Sequence, residues 1–372
     1  MSRYSTWIEI DVARARENLA AIKECMPASV QVMAIVKANA YGHGGKEIAR
    51  FLEDEVAAFG VANVNEVLEL REAGIRKPVL ILGLCTPAEY AVAIKQEATI
   101  SISSFEMAET VNGLARDQRE RASVHIKVDT GMGRLGIPYR SAYETIQRIM
   151  SLPHLAVDGI FTHFSMADDE NEFTDKQADL FCLLLDELKK KEIAFPCIHC
   201  ANSAAIVRDC VQEHVTMVRP GLTLYGYHVS TASRAQLSLK PVLSLKSKVL
   251  FIKTIESGKG VSYGRKHVTN TPTRVAVLPA GYSHGLPYVL SHRMHVLCKG
   301  KEYPVVGSIC MDYTMVDIGA SNDVVLGDEM VFIGASGPAV ITAEDWAAKQ
   351  GTIPYEVLTR LNPKIPRLYF NG

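Results

Sequence analysis

The sequence has no apolar run of membrane-spanning length and no signal-peptide core. No segment of its 372 residues approaches the roughly 18 uninterrupted apolar residues that a transmembrane helix requires. The first residues, MSRYSTWIEID, also lack the apolar stretch of a secretory leader. Both absences argue against a membrane or secreted chain, so we expect a cytoplasmic protein with no membrane segment.

Clusters of like charge are also scarce. The formal net charge is −1, and no run of five or more like charges occurs. The densest basic cluster, Lys189–Lys191, closes a predicted helix, where cations interact favourably with the helix dipole. We interpret it as a solvated helix end and expect no nucleic-acid partner.

The cysteines do not form the paired pattern of a structural zinc site. Eight are present, and only Cys197 and Cys200 form a C-x-x-C, with His199 between them. A zinc site would need a second pair at similar spacing. We therefore expect no metal and interpret the cysteines as reduced thiols of a cytoplasmic protein.

What is abundant in the first 225 residues is a repeated alternation of β-branched runs and helical patterns. In the pattern at 176–191, for example, Phe181, Leu184, Leu185 and Leu188 share one helix face. Such alternation predicts parallel strands joined by helices. There are eight runs, at about 30–36, 57–62, 78–83, 99–103, 123–129, 156–164, 197–203 and 215–221.

Eight runs predict a closed (β/α)8 TIM-type barrel. The alternative is an open doubly wound sheet, but the sequence lacks the G-x-G-x-x-G signature that usually accompanies that fold. After about Gly226 the pattern changes to strands broken by Gly and Pro turns, which predicts a mostly-β domain. We place the domains at 1–233 and 234–372, with a turn-prone linker at 228–238 and a short helix at 343–350.

Lys37 directly follows the first predicted strand, Gln31 to Val36. A charged lysine there is costly unless it is paired, faces a cleft or is chemically committed. Function in a barrel belongs at the carboxyl ends of the strands. The polar residues that follow the predicted strands and would share this rim are Lys37, Tyr41, Lys127, Asp129, Arg134, His163, Asn202, Ser203, Arg219 and Gly221.

The loops after the seventh and eighth predicted strands suggest a phosphate site. Ser203 would place a hydroxyl at a helix N-terminus, and Gly221 would let backbone N–H groups approach an anion. Alternatively, Asn202 only caps its helix and Gly221 only turns the chain. With Lys37 on the same rim, we favour a phosphorylated cofactor bound as a Schiff base.

Nine segments spread over nearly the whole chain carry a family resemblance. They are AIVKANAYGHG (34–44), VDTGMGRLG (128–136), THFSMAD (162–168), HCANSAA (199–205), RPGLTLYG (219–226), VSYGR (261–265), PAGYSHG (279–285), GSICMDYTMVDIG (307–319) and PYEVL (354–358). In this order they resemble the alanine racemase family, which implies interconversion of L- and D-alanine with pyridoxal 5'-phosphate and supply of D-alanine for peptidoglycan.

The resemblance implies a role for each matching residue on the barrel rim. Lys37 resembles the lysine that binds the cofactor as a Schiff base, and Arg219 resembles the arginine facing the pyridine nitrogen. Arg134 resembles a residue bonded to the phenolic oxygen, and Lys127 a lysine that is often carbamylated. The residues that resemble the phosphate cradle are Tyr41, Ser203, Gly221 and Tyr355. The resemblance also implies that His163, Asn202 and Leu222 bind the cofactor.

Racemisation also requires a base on each face of the α-carbon. Lys37 is one base in this interpretation, acting on the D-substrate, and Tyr263 resembles the other, acting on the L-substrate. His163 and Arg219 resemble the relay connecting this tyrosine to the cofactor. In the family the second base comes from the other subunit of a homodimer. The substrate-binding residues implied are Arg134, Tyr282, Met311 and Asp312.

Three positions depart from the family pattern, namely Ser283, His284 and Tyr313. They put the substrate range in question rather than the reaction type. The main alternative is the related serine, or serine and alanine, racemase of vancomycin-resistance systems, although Tyr355 crowds the substrate side chain and favours alanine. Less favoured are a decarboxylase, which would have a carboxylate in place of Arg219, and a non-catalytic cofactor-binding barrel, which would lack the second domain.

Overall fold

The computed structural model describes residues 3–169, 171–208, 213–320 and 322–371. The chain divides into two compact units. The barrel unit comprises Arg16–Ala40 and Gly45–Lys240, and the β unit comprises Met1–Ala15, Tyr41–Gly44 and Pro241–Gly372.

The barrel unit contains eight parallel strands arranged in a circle. The first strand pairs with the eighth through Met217 and Gln31. The circle closes between the seventh and eighth strands, where the N–H of Arg219 donates to the carbonyl of Ala201 at 2.9 Å. This confirms the predicted barrel. The strands are Gln31–Ile35, Ala58–Val61, Val79–Ile81, Thr99–Ile102, Ala122–Asp129, Leu155–Phe161, Cys197–His199 and Met217–Val218.

Helices alternate with the strands, and several begin at a capping residue, such as Asn63, whose side chain accepts from the N–H of Glu66. The predicted apolar face of Glu172–Lys189 is buried, because Phe181 and Leu188 lie at helical spacing on one side. The helices are Val12–Glu24, Gly45–Leu52, Val64–Glu72, Pro87–Lys95, Phe105–Gln118, Tyr139–Met150, Glu172–Lys189, Ser203–Val207 and Thr231–Gln236.

The predicted linker at 228–238 is not simply a turn. It contains the helix Thr231–Gln236, and Ser230 and Ser233 form a reciprocal capping box that starts this helix. Short helices therefore continue to the end of the barrel unit. Among the described residues, no helix in either unit combines the length and the apolar character needed to cross a bilayer.

The β unit is built mostly from antiparallel strands, which confirms the predicted fold class of the second domain. It also contains the predicted helix Ala343–Gln350 and a second helix, Pro354–Thr359. Its strands are Thr6–Asp11, Leu243–Lys248, Phe251–Ile255, Gly260–Val261, His267–Val268, Thr273–Leu278, His295–Cys298, Lys301–Pro304, Thr314–Gly319, Glu329–Ser336, Ala339–Ile341 and Arg367–Phe370.

The N-terminal strand Thr6–Asp11 belongs to this β unit, whereas the predicted first domain, 1–233, included it. The strand pairs antiparallel with Leu243–Lys248 and parallel with Arg367–Phe370. These backbone hydrogen bonds group Met1–Ala15 with the C-terminal part of the chain. Nothing local in TWIEID indicates which distant strands it will join.

Candidate active site

The predicted site residues fall into two groups, one in each unit. The barrel unit holds Lys37, Lys127, Arg134, His163, Asn202, Ser203, Arg219, Gly221 and Leu222. The β unit holds Tyr41, Tyr263, Tyr282, Met311, Asp312 and Tyr355.

Lys37 follows the first barrel strand and opens a left-handed turn. The φ angles of Ala38, Asn39, Ala40 and Tyr41 lie between 51° and 55°. For residues with a Cβ this conformation costs roughly 1–2 kcal/mol each. Two bonds within the barrel unit support the turn: the N–H of Ala40 donates to Val36 at 2.8 Å, and the Asn39 side chain accepts from Gly45 at 2.8 Å.

The environment of Lys37 favours its neutral amine. Burial lowers its pKa from the ordinary 10.5, the charges of Arg134 and Arg219 lower it further, and Glu66 opposes the shift. Only the neutral form of an amine can attack a carbonyl carbon. The neutral, nucleophilic form of this amine is therefore more accessible here than it is for an exposed lysine.

Arg219 is buried and donates four hydrogen bonds to neutral acceptors. Its NH1 donates to Nδ1 of His199 at 2.7 Å. Its NH2 donates to the carbonyls of Thr162 at 2.9 Å and Cys200 at 3.0 Å, and to Nδ1 of His163 at 3.2 Å. Burial lowers the pKa of Arg219 to about 10, so the guanidinium stays charged at neutral pH. Its Nε–H has no acceptor among the described residues.

A chain of two neutral histidines extends from this guanidinium into the barrel core. An arginine only donates, so Nδ1 of His199 must accept and its Nε2 must carry the proton. That Nε2–H donates to Nδ1 of His125 at 2.8 Å. Burial lowers the pKa of His125 to about 4 and that of His199 well below its usual range. The His199 ring also stacks on Phe161, with centroids 4.6 Å apart.

The two histidines are the site residues that sequence reasoning missed as partners of Arg219. His125, Cys197 and His199 could together reach one metal ion. However, the facing nitrogens of both histidines are engaged with each other and with Arg219, so a cation here would break that chain beside a positive charge. All seven described cysteines are free thiols, and Cys210 lies outside the described residues.

Lys127 and Arg134 add positive charge to the same unit. Lys127 is buried, with Nζ 5.5 Å from the centroid of the Phe161 ring. Burial, together with the charges of Arg134 and Arg219, lowers its pKa to about 8. Arg134 is exposed on the loop after the fifth barrel strand, where Asp129 accepts from Gly131 and Gly133.

The predicted phosphate loops lie together. The Ser203 hydroxyl accepts from the N–H of Gly221 at 2.8 Å and from the Thr223 hydroxyl at 3.0 Å. Asn202 caps the helix Ser203–Val207, where its side chain accepts from the N–H groups of Ala204 and Ala205 at 3.1 Å. Leu222 begins the short 3-10 turn Leu222–Tyr225. The hydroxyl and the two loop backbones thus form one polar cluster.

Within the β unit, the rings of Tyr41 and Tyr355 lie 5.7 Å apart at an interplanar angle of 50°. Gly42 makes this approach possible. Its φ is +83°, and a Cβ there would lie 2.3 Å from the carbonyl oxygen of Leu358. Any larger residue would push the segment away from the helix that bears Tyr355.

Tyr263 stands on a turn held by two serines. Ser262 donates to the carbonyl of Ser308 at 2.7 Å, and the Ser308 hydroxyl donates to the carbonyl of Tyr263 at 3.2 Å. The turn is fastened, yet the Tyr263 side chain is 73% exposed. Its phenol is therefore available to a group outside this unit's core.

Tyr282, Met311 and Asp312 come from two adjoining segments of the β unit. The N–H of Tyr282 donates to the carbonyl of Cys310 at 3.0 Å. Ser283, one of the unusual positions, donates to the Asp312 carboxylate at 3.0 Å. The structure thus connects this departure from the family pattern directly to a predicted substrate-binding residue.

Two family descriptions match the chain in succession. "Alanine racemase, N-terminal domain" covers residues 10–229, and "Alanine racemase, C-terminal domain" covers residues 242–369. The alanine racemase of Halothermothrix orenii is 39% identical over 368 residues, which is 98% of this chain and 97% of that protein. That of Methanococcus maripaludis is 37% identical over 375 residues, covering 100% of both.

Solved structures agree over the same length. The alanine racemase of Clostridium difficile 630 has a TM-score of 0.95 at 36% identity and covers 100% of this chain and 97% of that chain. The alanine racemase of Bacillus anthracis with bound L-Ala-P has a TM-score of 0.92 at 33% identity, covering 100% and 96%.

The barrel, its lysine-bearing rim and these matches define an amino-acid racemase, an enzyme of the isomerase class. This chain belongs to the alanine racemase family, which confirms the resemblance seen in its motifs. The relatives named above are alanine racemases and do not support the serine racemase alternative. The family depends on pyridoxal phosphate.

Proposed function

We propose that this protein interconverts L- and D-alanine with pyridoxal 5'-phosphate, using Lys37 and Tyr263 of a second subunit as opposed bases. One observation carries the proposal. The same barrel unit contains Lys37, a lysine whose pKa is lowered, and Arg219, an arginine that stays charged at neutral pH. Family membership supplies the substrate.

The barrel residues suit this cofactor because they form a cationic site with hydrogen-bond donors for an anion. The positive charges of Arg134 and Arg219 lower the pKa values of both Lys37 and Lys127. A site with this concentration of positive charge favours an anionic ligand. Lys37 would hold the cofactor covalently, with the phosphate near Tyr41, Asn202, Ser203, Gly221, Leu222 and Tyr355. When bound, pyridoxal phosphate withdraws electrons from the substrate and acidifies its α-hydrogen.

Arg219 explains why the reaction stops at proton exchange. A guanidinium donates a hydrogen bond but does not release its proton, so Arg219 would leave a ring nitrogen that accepts from it unprotonated. The bound cofactor would then withdraw electrons less strongly, which would limit side reactions such as transamination. The neutral histidines His125 and His199 hold the guanidinium in place and bring no negative charge to it.

Two bases are required because the proton leaves one face of the α-carbon and returns to the other. Lys37 takes or returns the proton of the D-substrate, and Tyr263 that of the L-substrate. His163, which accepts from Arg219, would relay between the phenol and the guanidinium. A phenol is a poor base at neutral pH, so it needs such a partner.

We further propose a homodimer in the cytoplasm. Tyr263, Tyr282 and Met311 are 73%, 45% and 55% exposed in the single chain, and a partner subunit would cover them as it completes the site. Arg134, Met311, Asp312 and Tyr282 would then contact substrate. The free thiols are in keeping with a reducing compartment.

Lys127 is the proposed site of carbamylation. An amine with a pKa of about 8 is partly neutral near physiological pH and can add carbon dioxide. The resulting carbamate would replace a positive charge beside Arg134 with a negative one. That exchange converts a repulsion into an attraction.

The decisive experiment compares the parent with Lys37→Ala, and with Lys95→Ala as a control at an exposed lysine. Parent and control should show a visible absorption band that borohydride removes, with the label on Lys37 by mass spectrometry. Racemisation of L-alanine should exceed that of L-serine, and Tyr355→Asn should narrow the difference. An unchanged spectrum in Lys37→Ala, or a preference for serine, would contradict the proposal.

A further inference from the structure

The carboxylate of Glu66 joins the ends of two barrel strands. Its Oε1 accepts from the N–H of Ala38 at 2.7 Å, and its Oε2 accepts from the N–H of Ala62 at 2.7 Å. Ala38 follows Lys37 after the first strand, and Ala62 follows the second strand, Ala58–Val61. One side chain therefore ties the lysine-bearing turn to its neighbour at the carboxyl end of the barrel.

This use of Glu66 is not ordinary helix capping. Glu66 is the third residue of the helix Val64–Glu72, and an acid there usually returns to the N–H of the cap residue itself. Elsewhere in this chain Glu89 does so, accepting from Thr86 at 2.7 Å. The Glu66 carboxylate instead accepts from Ala38 and Ala62 and not from its cap residue, Asn63. The Asn63 side chain still caps the helix by accepting from the N–H of Glu66.

The turn that Glu66 holds has an unusual backbone. Residues 38–41 all have positive φ although none is glycine. Such a run persists only where surrounding structure over-determines it. Ala38 is its first residue and is exposed, so packing does not hold it and the carboxylate is its anchor.

We propose that Glu66 is a positioning residue whose carboxylate clamps the left-handed turn after Lys37 and so fixes the direction of the lysine amine. The inference rests on the proposed role of Lys37 as the cofactor-binding lysine. Glutamate suits the clamp because both carboxylate oxygens accept, whereas a glutamine amide would direct its NH2 group at one of the two N–H donors.

The test compares Glu66→Gln with two matched controls. Glu89→Gln removes a carboxylate from the same helical position in a purely capping role, and Glu69→Gln removes an exposed one from the same helix. The full chain is freed of cofactor and followed by hydrogen exchange of the 37–44 segment, by thermal unfolding, and by the rate of borohydride-fixable attachment of pyridoxal phosphate to Lys37.

We expect Glu66→Gln to speed exchange in this segment by about tenfold or more and to slow attachment by about tenfold to a hundredfold. Glu89→Gln should lower the melting temperature without either effect, and Glu69→Gln should change nothing. Adding Ala38→Gly to Glu66→Gln should recover part of the attachment rate, because glycine adopts positive φ without strain.

Exchange and attachment within twofold of the parent would overturn the inference. If Glu66→Gln does not fold, Glu66→Asp replaces it, since the shorter carboxylate cannot reach both N–H donors. This variant should slow the attachment of pyridoxal phosphate without preventing folding. Failure of the proposed function looks different. In that case the parent itself shows no attachment at Lys37, while the hydrogen-exchange comparison still decides whether Glu66 clamps the turn.

Discussion

The guanidinium of Arg219 donates a 2.7 Å hydrogen bond to Nδ1 of His199, and His199 in turn donates to His125 at 2.8 Å. The charge of a buried arginine is thus met by a neutral chain rather than by a carboxylate. Most buried arginines are paired with an acid. Here the arrangement keeps the charge available to a ligand.

Breaking this chain should destabilise the protein in a graded way. His199→Phe keeps an aromatic ring against Phe161 but strands a charged donor, at a cost of roughly 2–3 kcal/mol. His125→Phe removes only the acceptor of a neutral N–H and should cost about 1 kcal/mol. Urea denaturation of the cofactor-free protein measures both, with His154→Gln as control. The reverse order would contradict the assigned proton positions.

Arg134 should control the reactivity of Lys37 through charge alone. Its positive charge lowers the pKa of Lys37, so Arg134→Gln should raise that pKa and shift the half-maximal acetylation of Lys37 to higher pH. Competitive acetylation of the cofactor-free protein followed by mass spectrometry, with exposed Lys95 as internal reference, measures the shift. Arg140→Gln, an exposed arginine on the following helix, should leave the midpoint unchanged. A lower midpoint in Arg134→Gln would refute the electrostatic account.

Lys127 should make stability depend on pH in alkaline solution. Its folded-state pKa is lowered from 10.5 to about 8, so below about pH 8 both states hold the proton and the full penalty applies. Between those values the unfolded chain keeps a proton that the folded chain has released, and the penalty declines until both are neutral.

Lys127→Met should therefore stabilise the cofactor-free protein at pH 7 in buffer without carbon dioxide. The expected gain is roughly 2–3 kcal/mol, because loss of the contact with Phe161 offsets part of it. The gain should shrink as pH rises from 8 towards 10.5. Added bicarbonate should also reduce it if the parent forms a carbamate. A gain that is constant with pH would show that packing, not charge, is responsible.

The two-base proposal predicts a directional defect. Tyr263→Phe should impair removal of the α-proton from L-alanine more than from D-alanine, because the lysine face remains intact. Solvent-deuterium exchange at the α-carbon measures each direction separately. Equal losses in both directions would speak against the assignment of faces.

Shared active sites predict complementation between defective subunits. Lys37→Ala and Tyr263→Phe proteins, mixed, unfolded and refolded together, should regain racemase activity, since a mixed dimer contains one intact site. Each protein refolded alone serves as the control. No recovery in the presence of demonstrated mixed dimers would rule out a site built from two chains.

Two glycines of the loop that carries Arg134 should differ sharply in how much stability is lost when each is replaced by alanine. A Cβ on Gly136, at φ +127°, would lie 2.7 Å from the backbone nitrogen of Asp129, whereas a Cβ on Gly133, at φ +68°, meets nothing within 4 Å. Gly133→Ala should cost about 1 kcal/mol for the left-handed backbone alone. Gly136→Ala should cost several kcal/mol more by steric overlap. Thermal unfolding of the two variants measures the difference. Equal losses of stability would contradict the close contact described at Gly136.

Much of the fold was predictable because its signals are local. β-Branched runs alternate with amphipathic helices at regular spacing, and Ala343–Gln350 has recognisable ends. The rim residues followed from a rule of geometry, since parallel strands bring their carboxyl ends to one edge. The membership of Thr6–Asp11 in the β unit was not predictable, because its partner strands Leu243–Lys248 and Arg367–Phe370 lie far along the chain.

Other features of the site had no local signal at all. His125 and His199 sit within apolar strands and look like ordinary core residues until Arg219 is seen to donate into them. Glu66 occupies a common helix-capping position, and only the fold shows that its carboxylate reaches Ala38 instead. In each case the function of a residue depends on a partner that sequence spacing does not specify.

The barrel, the second β domain and the family with its lysine and arginine could be recognised from the amino-acid sequence alone, because periodicity and motif are carried by neighbouring residues. The folded structure was needed to show that the first strand joins the β unit, that Lys37 opens a strained left-handed turn, and that neutral histidines hold Arg219. Hydrogen bonds, desolvation and charge act over a few ångströms in space, and the folded chain alone sets which residues come that close.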